Sequence, residues 1–431
     1  MLYYSTNKQS SPVNFREAAI SGQAPDKGLY FPEHIPKLSA DFFKNFRGKS
    51  KAEIAFEVIR TYAGDTIPDA ELYRICEETV NFDFPLVKIN DSIYSLELYH
   101  GPTLAFKDVG ARFMSRCLGY FSKGNKQKVT ILVATSGDTG SAVANGFLGV
   151  EGVDVVILYP SGKVSNIQEL QLTTLGQNIT ALEVNGTFDD CQHMVKQAFA
   201  DEQLNHRLVL TSANSINVAR WLPQQFYYFY ALQQWQHEQA PIVCVPSGNF
   251  GNICAGLLAH SSGLPIKHFI AACNSNDVFP IYLKSGIYKP KPAVATYSNA
   301  MDVGNPSNFV RVRELFHDNL SHMKEMVSSF RVSERSTLET IKEVYNNEHY
   351  LLEPHGAVAY QALRRYLKLH PGQPGIILET AHPVKFDTVV EKCIGHPVEI
   401  PASASHLAGL KKVSIEIKPW FAELKDFLMD L

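Results

Sequence analysis

From about residue 128 onward the sequence alternates short runs of apolar and β-branched residues with stretches of helical periodicity. Lys128–Val133, Val153–Tyr159, Ile179–Val184, Leu208–Leu210, Pro241–Val245, His268–Ala272 and Gly375–Glu379 are the strand candidates. Most are apolar throughout, so both faces need cover, as in a parallel sheet built from βαβ units. Helices are expected between them. Ser165-x-x-Gln168 and Thr187-x-x-Asp190 have the capping-box pattern, and each is followed by apolar residues at three-to-four spacing. The expectation is an α/β fold of doubly wound, mostly parallel sheets. Before residue 95 the texture changes to mixed helical segments, which predicts a small N-terminal domain over residues 1–92 and a larger body over 93–431, joined around Asn90–Ser92.

The 431 residues, 45% hydrophobic and 19% charged, suffice for sizeable packed cores. A formal net charge of −3, with basic residues scattered along the chain, disfavours a nucleic-acid partner. The longest apolar stretches, such as 241–246 and 253–259, are broken by Gly, Pro and Asn well short of the about 18 residues a membrane helix needs. No secretory leader is read at the start, and the seven cysteines include no C-x-x-C, which suggests a reducing, cytoplasmic compartment. Cys244 and Cys254 lie in apolar surroundings and are expected to pack as small hydrophobes. His100, His355 and His382 are too far apart in sequence for a metal motif, and no metal is expected. Tyr288–Pro292, rich in Lys and Pro, is expected to be a surface loop.

Two glycine-bearing turns fall where a strand feeds a helix: Ser136-Gly-Asp-Thr-Gly140 and Ser247-Gly-Asn-Phe-Gly-Asn252. In doubly wound folds such turns present free N–H groups and a positive helix end to the crevice at the strand ends. Taken singly, either could be no more than a tight turn. Asp138 puts a negative charge at the mouth of the first, so a phosphate is assigned to Gly248–Asn252 and a smaller anion, such as a carboxylate, to the first. Neither turn spells G-x-G-x-x-G, and Gly48-Lys49-Ser50 has Phe43 where a P-loop needs its first glycine.

Ser95–His100 alternates like a half-buried strand, Gly101-Pro102-Thr103 breaks it, and a helix follows with Phe106, Val109, Phe113 and Cys117 on one face. Lys107 falls in the first turn of that helix. The positive helix end disfavours a structural cation there, but it suits an amine that must lose its proton.

The segment from His100 to Asp108, HGPTLAFKD, closely resembles the cofactor-lysine segment of the threonine synthases. Thr135–Gly140 (TSGDTG), Ser212–Asn217 with Arg220, Val245–Gly251 (VPSGNFG), Glu353–Gly356 (EPHG), Thr380–Pro383 (TAHP) and Gly28–Pro32 (GLYFP) are similar to further blocks of that family, in the same order. The resemblance spans nearly the whole chain. It implies two open α/β subdomains with pyridoxal phosphate between them, and conversion of O-phospho-L-homoserine and water to L-threonine and phosphate. It further implies Lys107 as the Schiff-base lysine and proton carrier, with Gly248, Asn249, Phe250, Gly251 and Asn252 around the cofactor phosphate.

By the same resemblance Thr380 would meet the pyridine nitrogen, and a helix N-cap before Pro383 is the plain structural alternative for it. Thr135, Ser136 and Thr139 would take the substrate carboxylate, and Asn214, Ser215 and Arg220 the substrate phosphate. For Arg220 the alternative is a surface salt bridge. Asp138 falls at the cofactor site where more distant relatives have Asn, and is expected to be protonated or displaced. A monomer or homodimer is expected. The rival functions are a phospho-lyase that releases a keto acid and a non-catalytic paralogue that binds phosphorylated amino acids.

Overall fold

The structure is a computed structural model that describes residues 1–124, 127–407 and 409–431. Strands β1 (Leu2–Ser5), β2 (Val13–Asn14) and β3 (Tyr30–Pro32) make a small antiparallel sheet, ordered β2-β1-β3. Strands β4 (Leu86–Lys88), β5 (Ile93–Glu97), β6 (Val129–Ala134), β7 (Val153–Pro160), β8 (Ile179–Val184), β9 (Val209–Thr211), β10 (Ile242–Pro246), β11 (His268–Cys273), β12 (Val327–Arg331), β13 (Gly375–Glu379) and β14 (Ile415–Ile417) form two larger sheets. One runs β14-β8-β7-β6-β9 and the other β12-β11-β10-β13-β5-β4. Every pairing in these two is parallel except β4 with β5.

Alternation of side chains sets what each sheet face buries. Ile131 and Val133 of β6 and Val155 and Ile157 of β7 join one core, which also takes Val243, Val245, Phe269 and Ala271 from the other sheet. Their neighbours Leu132, Ala134, Val156 and Leu158 enter a second core with the helices over 188–200 and 421–429. Ile242, Cys244, Ile270, Ala272 and Ile377 enter a third, with the helix Pro354–Leu369. Both faces of each sheet are therefore covered, as the unbroken apolar runs require. Burying one such Val or Ile contributes about 1.5–3 kcal/mol relative to leaving it exposed.

The predicted strands are all present, with ends displaced by one residue in several cases. The alternating strand expected at Ser95–His100 lies instead at 93–97 and is mostly buried, since β13 and β4 flank it on both edges. The stretch before residue 95, read as largely helical, contains the β1–β3 sheet and β4 as well. Both capping boxes form, at Ser165 with Gln168 and at Thr187 with Asp190. Tyr288–Pro292 is an irregular segment with its lysines and prolines exposed, where the Tyr288 ring packs against Phe309. Cys244 and Cys254 are buried and free.

Among the side chains that tie the N-terminal sheet to the body, Arg311 makes the most hydrogen bonds. Arg311 is fully buried with its guanidinium over the Trp221 ring, 4.3 Å from the centroid. It donates to Tyr30 O twice (3.1 and 2.9 Å), to Ser215 O (3.0 Å), Ile216 O (2.6 Å) and Asn308 Oδ1 (2.7 Å).

Candidate active site

The turns that follow β6, β9, β10 and β13 all leave the C-terminal ends of parallel strands, where open α/β sheets bind their ligands. Lys107 joins them because its segment is laced to the turn after β13: Phe106 N–H donates to Thr380 O at 2.8 Å, and Ala105 bridges Ala381. Lys107 opens the helix Lys107–Ser122, whose Val109, Phe113 and Cys117 are buried as expected. Its side chain is 15% exposed, with Nζ 4.9 Å from the Phe106 ring centroid and 3.5 Å from Asp138 Oδ2. Burial lowers the pKa of the amine, Asp138 works against this, and Lys385 and Arg220 add to it.

The turn after β10 is built to leave backbone donors free. Phe250 sits in the left-handed region at φ 64°, and the helix Gly251–Ser261 starts directly behind it. The first bond back within this helix runs from Cys254 N–H to Phe250 O at 3.1 Å, so the amides of Gly251, Asn252 and Ile253 have no acceptor in the helix. Asn249 braces the turn, donating to Ser215 Oγ (2.8 Å) and accepting from Ser307 N–H (2.6 Å). A Cβ on Gly248 would stand 2.5 Å from Met301 Cα, so only glycine fits there. Asn252 accepts from Tyr228 Oη at 2.8 Å, while its buried Nδ2 has no partner. An orphaned donor beside unclaimed helix-start amides suits a phosphate.

The turn after β6 is different. Thr135 Oγ1 accepts from Gly137 N–H (3.0 Å) and Gly140 N–H (2.8 Å), so it shapes the turn, whereas Ser136 and Thr139 are partly exposed and make no side-chain hydrogen bond among the described residues. Asp138 is buried and faces two ammonium groups. Lys385 Nζ lies 2.7 Å from its Oδ1 and Gln168 Nε2 donates to the same oxygen at 2.9 Å. Although burial opposes it, the nearby ammonium groups of Lys385 and Lys107 hold this carboxyl well below the usual carboxylate range. The side chain of Gln168 also closes the capping box at Ser165, which fixes its amide toward Asp138.

Arg220 is not a surface salt bridge, because it is 4% exposed and no carboxylate among the described residues pairs with it. Its Nη1 donates to Ala213 O at 2.6 Å and its Nε is buried without a partner. Burial pulls its pKa down to about 10. A buried guanidinium with unused donors is costly unless an anion completes it. Asn214, half-buried on the same turn, has a side chain with no hydrogen-bond partner among the described residues, whereas Ser215 Oγ faces the turn after β10 and accepts from Asn249 and from Asn308 Nδ2 (3.1 Å).

Thr380 is buried and donates to Glu353 Oε1 at 3.4 Å. It does not cap the short helix Pro383–Phe386; His382 does, its Nδ1 accepting from Val384 N–H at 3.1 Å. Behind Thr380, Glu353 Oε2 lies 2.5 Å from His355 Nδ1, and His355 Nε2 accepts from Ala300 N–H at 3.1 Å. Residues 300 and 301 are the backbone against which Gly248 packs. Lys385, Glu353 and His355 had no predicted role at the site, and Gln168 was read only as a capping-box residue. The EPHG block stood out in the sequence, but nothing local to Lys385 distinguishes it from a solvated lysine.

Comparison with known proteins accords with this geometry. Residues 82–378 match a family described as "Pyridoxal-phosphate dependent enzyme", residues 2–80 one described as "Threonine synthase N terminus", and residues 356–428 one described as "Threonine synthase, C-terminal". The chain is 44% identical over 431 residues to the threonine synthase of Haemophilus influenzae, covering 100% of each chain. It superposes on the crystal structure of threonine synthase from Escherichia coli with a TM-score of 0.92 at 42% identity, covering 100% of both chains. With the PLP-bound threonine synthase of Brucella melitensis the TM-score is 0.94 at 35% identity, covering 100% of this chain and 99% of that one.

Proposed function

The chain belongs to the threonine synthase family and is a pyridoxal-phosphate-dependent lyase that forms L-threonine, and from that premise we propose how its own residues divide the work. The substrate is O-phospho-L-homoserine, a small molecule carrying a carboxylate, an amine and a phosphate. The observation that carries this reading is Arg220: a buried guanidinium with a free Nε and no carboxylate partner, close enough to Lys107 to depress its amine.

The donor set fits the cofactor. Gly248–Asn252 would hold its phosphate through the Gly251 and Asn252 amides and the orphaned Asn252 Nδ2, and Lys107 would hold it covalently. Thr380, whose hydroxyl makes only a long 3.4 Å contact with Glu353, would turn it to donate to the ring nitrogen. Bound pyridoxal phosphate supplies an electron sink for negative charge developing on the substrate carbons.

Arg220 and Asn214 bind the substrate phosphate, and Ser136 and Thr139, from a turn shaped by Thr135, bind the carboxylate. Ser215 steadies the cofactor-phosphate turn that it touches. Lys107 would act as the base for the Cα proton and then move protons at Cβ and Cγ, work that suits an amine whose pKa is lowered by burial. Arg220 retains the departing phosphate, and water adds at Cβ.

The seven cysteines, all free, support a reducing, cytoplasmic setting. Among the described residues no helix is long and apolar enough to cross a membrane. The division into residues 1–92 and 93–431 is kept as a working boundary, with the edge strand β4 of the large sheet lying on its N-terminal side. The test is to supply O-phospho-L-homoserine to the purified protein and measure phosphate and L-threonine together. Equal amounts are expected; phosphate accompanied by a keto acid would replace this reading with a phospho-lyase.

A further inference from the structure

Lys385 is buried, yet no step described above uses it. Its ammonium group lies 2.7 Å from Asp138 Oδ1 and donates to Thr103 O at 2.8 Å. The other oxygen of Asp138 is 3.5 Å from Lys107 Nζ. One carboxylate thus stands between two ammonium groups, and the shorter contact belongs to the lysine with no chemical task. Were Asp138 alone beside Lys107, the pair would hold the Lys107 nitrogen protonated, the wrong state for a base.

We propose that Lys385 is a positioning residue: it takes up the charge of Asp138, so that the Lys107 nitrogen sees a nearly neutral pair and releases its proton within the working pH range. The proposal rests on the assignment of Lys107 as the cofactor lysine and base. The groups facing this cluster are few. Asp138 comes from the helix Asp138–Phe147, Arg220 from Val218–Trp221, and His382 from the turn that also carries Lys385. Asp108, one residue beyond Lys107, is engaged with Thr103, whose N–H and hydroxyl it accepts at 2.9 and 2.5 Å. Arg220 adds to the effect of Lys385 on Lys107, and Asp138 is the one carboxylate within salt-bridge reach of that nitrogen among the described residues. A merely structural Lys385, tying down Thr103 O, would leave the proton on Lys107 unaffected.

The test compares the holoenzyme with Lys385→Met, Asp138→Asn and the double variant. The readout is the pH midpoint of the visible absorption change that reports the proton on the cofactor-bound Lys107 nitrogen. Lys385→Met should raise the midpoint by about one pH unit, a tenfold change in proton affinity, and Asp138→Asn should lower it. The double variant, which removes both charges, should return to within about 0.3 unit of the parent, a twofold change. Lys385→Arg keeps the cation and should leave the midpoint in place. If Lys385→Met does not fold, the double variant decides: a folded protein with the parental midpoint supports the proposal, whereas one that does not fold or that behaves like Asp138→Asn overturns it. A visible band whose midpoint ignores Lys385→Met overturns the proposal alone. Absence of the band from the parent protein would overturn the assignment of Lys107, and the proposal with it.

Discussion

The turns after β6 and β10 are the same local device, a strand ending in glycines that hand over to a helix start, yet their electrostatic surroundings are opposite. After β10 the donors are backbone amides and one orphaned amide side chain, and the helix Gly251–Ser261 has no acidic residue in its first turn. After β6 the first turn carries Asp138, and its charge is met from elsewhere in the chain by Lys385, Gln168 and Lys107. A strand–turn–helix unit therefore fixes where an anion can sit but not its identity. The side chains that neighbouring segments bring to the turn decide that.

The largest effect should come from Lys107→Ala, which removes the amine that the β6 turn faces. The protein should fold, because alanine suits a first turn, but it should hold no covalent cofactor and lose the factor of about 10²–10⁴ or more that a positioned base contributes. Borohydride reduction and peptide mapping locate the label, and a pyridoxyl group on any other lysine breaks the assignment. Next in size, Arg220→Ala should reduce catalytic efficiency with O-phospho-L-homoserine by about 2–5 kcal/mol in transition-state binding, with the visible spectrum retained. Loss of the cofactor instead would make Arg220 part of the β10 cradle.

Gly248→Ala and Gly140→Ala then compare the two turns directly. The new Cβ at 248 meets backbone, 2.5 Å from Met301 Cα, whereas at 140 the nearest atom is Thr135 Cγ2, also at 2.5 Å, where a side chain rather than backbone must give, at the expense of the two bonds to Thr135 Oγ1. Overpacking of this kind costs about 1–3 kcal/mol, so Gly248→Ala should show the larger drop in thermal stability and weaker cofactor binding. Equal drops would mean that both turns are held with the same rigidity.

The smallest effect concerns His382, on the turn that supplies Lys385. Burial lowers its imidazole to about 4, with His100 and Lys385 acting in the same direction and Glu97 against. Because the folded pKa lies below that of the unfolded chain, this contribution is present above about pH 6.5 and is lost as the pH falls toward 4. The stability of His382→Asn, measured by denaturant titration across that window, should vary with pH by about 1–2 kcal/mol less than that of the parent.

Much of this site is legible in the chain. Both-face-buried strands announce themselves as unbroken apolar runs, and Lys107 stands out because a helix start is a poor place for an idle cation. The β12 sequence VSSFR carried no such signal, since an edge strand with half-exposed serines needs no apolar run. Asp138 was visible but its partner Lys385 was not, because the two are remote in sequence and no spacing rule joins them. Glu353 and Glu379 likewise meet only in three dimensions, where Glu379 Oε1 accepts from Glu353 N–H at 2.7 Å. Periodicity reports which face of an element is buried, and it is silent about which charges the fold brings together there.

Arg311 extends this to the mechanics of the molecule. Its five hydrogen bonds use the whole donor capacity of a guanidinium on three segments: the end of the N-terminal sheet, the strap at 215–216, and Asn308 beside it. Because no donor is left in reserve, moving the N-terminal sheet away would leave two buried guanidinium donors without the Tyr30 carbonyl. If Arg220 grips the substrate phosphate as proposed, damage to the small sheet should appear first as weaker use of the phosphorylated substrate while the cofactor stays in place.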